Sequence, residues 1–119
     1  MNSVPKTKPQ EAQVLATAFL NVGKELGLSQ TALASIIDRD RSSISRNGID
    51  PYTKSGELAL LLIRAYRSLF VLVGGDSAQV KHWMQTENLH TQGVPANQVQ
   101  SIQGLMRVVE YLDAMRGKI

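Results

Sequence analysis

The most apolar part of the chain is the stretch LALLLIRAYRSLFVLV, residues 58–73, and it limits the folds that are available. It has 16 residues and carries Arg64 and Arg67 near its middle. A membrane-spanning helix needs about 20 residues and tolerates central arginines poorly. We therefore expect a helix that is buried in a protein core or in a dimer interface, and no membrane partner.

Apolar residues elsewhere recur at helical spacing, and no segment alternates with the period of two that is typical of a strand. The first apolar stripe begins after Glu11 and consists of Val14, Leu15, Ala18, Leu20, Val22 and Leu26. The last lies within residues 101–116 and consists of Ile102, Leu105, Val109 and Leu112. Asp76 and Gln79 have capping-box spacing for a further helix. The sequence predicts an all-α fold.

Composition excludes several classes of function. The chain has 119 residues, which suits one small globular protein, and it contains no cysteine, so disulfides, Cys-ligated metals and a Cys nucleophile are excluded. Only His82 and His90 remain as imidazole groups, and no carboxylate lies at ligand-like spacing from them. We expect no metal, no cofactor and no enzymatic activity. The N-terminus lacks the apolar core of a signal peptide, which favours a cytoplasmic protein.

The string LGLSQTALASIIDRDRSSISRNG, residues 26–48, has the pattern of two short helices separated by a turn. Ser29 is placed to cap a helix through Ile37, and a second helix from Arg41 to Arg46 follows the turn at Asp38. Small Ala34 is expected where the helices cross, with its apolar neighbours Leu33, Ile37 and Ile44 filling the angle between them. The string resembles the helix-turn-helix of the Xre/Cro repressor class, in which the second helix enters the DNA major groove. Asp38 stands where glycine is usual, and aspartate tolerates a left-handed backbone.

The polar residues of this string are the candidates for DNA contact. Arginine presents a planar fork that matches guanine or phosphate, and serine is short enough to let a helix approach the bases. The alternative is that the arginines are ordinary surface charges paired with Asp38 and Asp40. The candidate DNA-binding residues are Gln30, Thr31, Arg39, Arg41, Ser42, Ser43, Ser45 and Arg46.

The order of motifs beyond this point carries a second resemblance. After the helix-turn-helix come DP, a leucine-rich helix with RAYRSL, GGD, HWMQTENLHTQGVP and IQGLMRVVEYLDAMRG. The most specific positions are Trp83, Asn88, Leu89, Gly93, Pro95, Gly104, Leu105, Tyr111 and Leu112. The series resembles the Xre/MbcA/ParS antitoxin family over residues 15–119. Val94 departs from the family pattern, because a small polar cap is common before that proline.

The resemblance implies a partner, a RES-domain toxin that consumes NAD⁺. It also implies that the C-terminal domain obstructs the toxin active site and that the antitoxin represses its own operon by binding operator DNA. The charged chain end is then expected to enter a pocket built for an anionic dinucleotide, whereas the alternative is a frayed terminus. The expected toxin-binding residues are Trp83, Asn88, Glu110, Tyr111, Asp113, Arg116, Gly117, Lys118 and Ile119.

The predicted organisation has three parts: a flexible tail over residues 1–10, a DNA-binding helix-turn-helix domain over residues 11–54, and a dimerisation and toxin-binding domain over residues 55–119. The apolar run of residues 58–73 favours a homodimer or a higher symmetric assembly. Two other functions stay open. One is a stand-alone Xre-type repressor whose C-terminal domain dimerises or senses a ligand. The other is an enzyme, which lacks support because no nucleophile pairs with a base.

Overall fold

The computed structural model describes residues 9–118, and these form seven helices. The all-α class is confirmed, since the only strand-like feature within residues 9–118 is an isolated bridge between Asn88 and Gly93. The helices are α1 (Pro9–Leu26), α2 (Gln30–Ile37), α3 (Arg41–Asn47), α4 (Lys54–Leu72), α5 (Ser77–Gln85), α6 (Pro95–Gln98) and α7 (Ile102–Arg116).

Helix α1 begins two residues earlier than the sequence predicts. Pro9 and Gln10 are helical and so do not belong to a tail. Proline suits the first helical position because its φ is already fixed and its missing N–H would have no partner in the helix. The rest of the predicted tail, residues 1–8, lies outside the described residues.

Polar side chains fix the starts of most other helices by accepting a backbone N–H from the first turn. Ser29 accepts from Ala32 at 3.0 Å, and Asp76 accepts from Ala78 at 2.9 Å. The remaining caps of this kind are Asp40, Thr53 and Ser101. Val94 precedes α6 and makes no side-chain cap, so Pro95 at the start of the helix supplies the local restraint.

Helix α4 is the centre of the fold and holds the predicted apolar run. It packs against α1, α2, α5 and α7, and its inward residues Ala59, Leu62 and Leu69 are almost fully buried. One continuous apolar core joins residues from all seven helices. The helix-turn-helix and the C-terminal helices therefore form a single packed body around α4.

The structure corrects three apolar assignments. Val14 is 68% exposed, because the buried stripe of α1 runs through Leu15 and Phe19, and Val14 lies one residue to the side of it. Ile102 is also 68% exposed, since it is the first residue of α7. The buried row of that helix begins one turn later, at Leu105, and includes Val108. Ala34 is only half-buried, whereas Ile36, two residues further along α2, is buried.

Gly104 is a position where only glycine fits, and we predict a loss of stability on substitution. A Cβ built there would overlap the backbone carbonyl of Gln98, the last residue of α6. We expect Gly104→Ala to lower the free energy of unfolding by about 1–3 kcal/mol, the usual cost of overpacking a tight site. Gly117→Ala is the matched control, because its Cβ would meet nothing closer than 3.5 Å. Urea denaturation of both variants measures the difference, and equal midpoints would contradict the account.

No single helix within residues 9–118 is long and apolar enough to cross a membrane. Helices α4 and α5 are long and apolar enough only when they are taken together, and their axes are bent by 118° at the break between them.

Candidate functional site

The two helices α2 and α3 are held in a fixed arrangement by the turn between them. Asp38 adopts the left-handed conformation, with φ 56° and ψ 45°, as the sequence predicts. Asp40 then caps α3, and its Oδ1 accepts from the Ser43 N–H at 2.7 Å. The short chain between the helices thus reverses direction without a glycine.

The outer face of α3 is polar and open to solvent. Arg41, Ser42, Ser45 and Arg46 are all exposed there. Gln30 and Thr31, also exposed, lie at the start of α2. Within the described chain, neither arginine forms an ion pair with the aspartates of the turn, and Asp40 is engaged in capping. Both guanidinium groups are therefore available to an anionic partner.

Arg39 and Ser43, two of the predicted DNA-binding residues, contact each other. The Arg39 Nε and Nη2 atoms donate to the Ser43 Oγ at 3.3 and 3.0 Å, and Nη2 donates to the Ser43 carbonyl oxygen at 3.1 Å. Both side chains are half-buried. The pair braces the turn against the first turn of α3, so these bonds compete with any contact that the Arg39 Nε and Nη2 groups make with DNA.

Three aromatic rings form a stack in the C-terminal half. The Tyr111 ring of α7 lies parallel to Trp83 of α5, with centroids 6.3 Å apart and an interplanar angle of 7°. His90 stacks on the same tyrosine at 5.3 Å and 11°. Trp83 and Tyr111 are half-buried against the core, so the stack joins two helices and the loop between α5 and α6.

Asn88 organises the loop that carries His90. Its side-chain Oδ1 accepts the backbone N–H groups of His90 at 2.8 Å and Thr91 at 3.2 Å. This arrangement leaves Leu89 pointing outward with 90% of its surface exposed. An apolar side chain so exposed at a loop tip is available to a partner. In the sequence, it can be recognised as a lone leucine within a polar loop.

The end of α7 is anchored on one side and free on the other. Asp113 forms a two-point ion pair with Arg64 of α4, in which Nη2 lies 2.7 Å from Oδ2 and Nε lies 3.2 Å from Oδ1. That pair links positions 49 residues apart, so spacing in the sequence gives no indication of it. The exposed members of the predicted toxin-binding set at this end are Glu110, Arg116, Gly117 and Lys118. Ile119 lies outside the described residues.

Groups suited to acid–base or metal chemistry are not gathered at either surface. Burial raises the pKa of the Tyr66 phenol, and the carboxylate of Glu25 raises it further, so this hydroxyl is a weaker acid than that of an exposed tyrosine. Among residues 9–118, no three His, Asp or Glu side chains are placed to hold a metal ion. The candidate surfaces offer binding groups, chiefly arginine, serine and aromatic side chains.

Two family models match consecutive parts of the chain. A model of the antitoxin Xre-like helix-turn-helix domain matches residues 7–64. A model of the antitoxin Xre/MbcA/ParS C-terminal toxin-binding domain matches residues 68–118. The chain belongs to the Xre family of antitoxins. A search of curated proteins found no significant match.

The matches divide the antitoxin within α4. This helix runs from Lys54 to Leu72, so its first part belongs to the helix-turn-helix match and its last part to the toxin-binding match. An Xre-like helix-turn-helix domain is therefore followed by a toxin-binding domain, and the family implies both a toxin and DNA as partners. The α3 face lies in the first match, and the aromatic stack and the end of α7 lie in the second.

Proposed function

We propose that this antitoxin inhibits a RES-domain toxin that consumes NAD⁺ and that it represses its own operon. The observation that carries the first half is the geometry at the end of α7. Asp113 is tied to Arg64, while Arg116 and Lys118 beyond it are exposed. A helix that ends in exposed cations is suited to pairing with carboxylates of a partner, and we propose that these carboxylates lie in the toxin's NAD⁺ site.

The aromatic stack and Leu89 supply the apolar part of the proposed toxin contact. Tryptophan and tyrosine are enriched among the residues that dominate binding energy at interfaces. Trp83 and Tyr111 are already ordered by their mutual stacking, so little side-chain entropy is lost when a partner covers them. Asn88 contributes indirectly by holding the loop that presents Leu89.

Co-expression with the protein encoded beside it in the operon tests the first half. The proposal expects a RES-domain protein there and a stable complex of defined stoichiometry after purification of the tagged antitoxin. A neighbouring gene of another class, with no complex formed, would favour a stand-alone repressor.

The second half of the proposal places α3 in the major groove of operator DNA. The exposed arginines and serines of α3 support it, because they combine a forked donor with short side chains that permit close approach. We propose that a symmetric dimer binds inverted repeats whose half-sites are about 10 bp apart, or a multiple of that, since two-fold protein symmetry requires two-fold DNA symmetry.

Arg41→Ala is expected to relax base preference at one position in each half-site. The binding free energy for the specific operator is expected to fall by about 1–3 kcal/mol if the guanidinium binds a guanine in bidentate fashion. Gel-shift titrations against the upstream region of the operon and against random duplexes measure it. An equal loss on both DNAs would make Arg41 a phosphate contact. Failure of the wild-type protein to prefer the upstream region would contradict repression.

A further inference from the structure

A groove of about 720 Å³ runs between α1 and α4, and Arg116 at the end of α7 borders it. Its floor is apolar, and two of its side chains are unusually open: Val14 is 68% exposed and Leu60 is 47% exposed. Tyr52, which is 73% exposed, stands at one edge in the loop before α4. Exposed apolar side chains gathered in one depression are typical of a protein-binding surface.

The charge around the groove is predominantly positive. Arg64, Arg67 and Arg116 line it, and Glu11 is the only acidic residue among the lining residues. Arg64 is already paired with Asp113. Arg67 is exposed and has no ion-pair partner within residues 9–118. The groove thus combines an apolar floor with unneutralised guanidinium groups.

This charge disfavours two occupants supplied by the chain itself. The segment that precedes α1, residues 1–8, carries Lys6 and Lys8 and no acidic residue. A second copy docked by two-fold symmetry would bring the Arg67 and Arg116 groups of both copies together, with one Glu11 from each copy to offset them, since Arg64 is already paired with Asp113. Like charges brought together at an interface cost several kcal/mol, so an acidic occupant is favoured.

We infer that the groove receives an acidic amphipathic helix of the toxin. The inference rests on the proposed function, because Arg116 both lines the groove and belongs to the chain end assigned to the toxin. The lining of α1 extends from Gln10 to Ala18, which is about 12 Å at 1.5 Å per residue, or two turns. A toxin helix of that length would place apolar residues at positions i, i+3 or i+4, and i+7 against the apolar floor of the groove. Its acidic side would then face Arg67.

Affinity of the purified toxin for antitoxin variants, measured by calorimetry, tests the inference. We expect Arg67→Glu to weaken toxin binding at least tenfold at low salt, with the difference shrinking as salt rises. Leu60→Ser is expected to weaken it at least threefold through the loss of apolar contact. Lys24→Glu is the matched control, since it makes the same charge change at an exposed position of α1 outside the groove, and we expect less than a twofold effect.

The outcomes separate the inference from the proposed function. If wild-type antitoxin does not bind the toxin, both are overturned. If wild type binds and folded Arg67→Glu and Leu60→Ser bind equally well, the groove inference alone is overturned. Light scattering of the free proteins gives a further check: conversion of a wild-type dimer to a monomer by either groove variant would assign the groove to a second copy and overturn the inference.

Discussion

Removal of residues 116–119 is expected to raise the antitoxin concentration needed to inhibit the toxin by a factor of about 30 or more. The deleted segment carries Arg116, whose guanidinium can form two parallel hydrogen bonds with a carboxylate in the toxin site. Losing one partner of such a buried pair costs about 2–5 kcal/mol. Inhibition curves for toxin NAD⁺ consumption, with full-length and shortened antitoxin, measure the change.

The shortened protein should keep its fold. The buried row of α7, which includes Leu105, Val109 and Leu112, is intact, and the pair between Arg64 and Asp113 still anchors the helix. Arg116→Lys in the full chain is the matched variant, since it retains the charge and removes the forked geometry. We expect it to lose inhibition in part. Undiminished inhibition by the shortened protein would show that the chain end is dispensable and that coverage around Trp83 and Tyr111 suffices.

A second large effect is expected when both exposed arginines of α3 are removed. Arg41→Ala combined with Arg46→Ala takes two unpaired cations from the face proposed to enter the major groove. Repression of an operon reporter should be abolished, because phosphate and base contacts are lost together. Cells should remain protected from the toxin, since the proposed toxin contacts lie on other helices.

The control for that experiment is Lys24→Ala combined with Lys81→Ala, which lowers the net charge equally at exposed positions of α1 and α5. It should retain repression within about twofold, because surface charges away from the DNA contribute only a screened, long-range term. Loss of protection in an Arg41/Arg46 variant that folds and accumulates normally would contradict the separation of the two activities.

The helix-turn-helix was predictable because its determinants are local. Ser29 lies three residues before the backbone N–H that it caps, and Asp38 itself adopts the left-handed conformation, so the capped helix and the turn follow from residue type. The face of α1 was less predictable. Val14 and Phe19 are both apolar, and the packing of α1 against α3, α4 and α5 decides that Phe19 is buried and Val14 is open.

Long-range contacts around the candidate surfaces have no counterpart in sequence spacing. The ion pair between Arg64 and Asp113 and the stacking of Trp83 on Tyr111 depend on how α4, α5 and α7 pack. Even the nearer bonds from Arg39 to Ser43 escape a pattern-based approach, because both residues suit an exposed DNA-binding face equally well. The DNA-binding and toxin-binding residue sets stay predictions.

The most direct test of antitoxin function is a titration of the neighbouring toxin with the purified full-length chain. NAD⁺ consumption is followed while the antitoxin is raised from zero to a severalfold molar excess. Toxin activity is expected to fall in proportion to added antitoxin and to be lost near the stoichiometric point. Undiminished NAD⁺ consumption in the presence of excess folded antitoxin would contradict it.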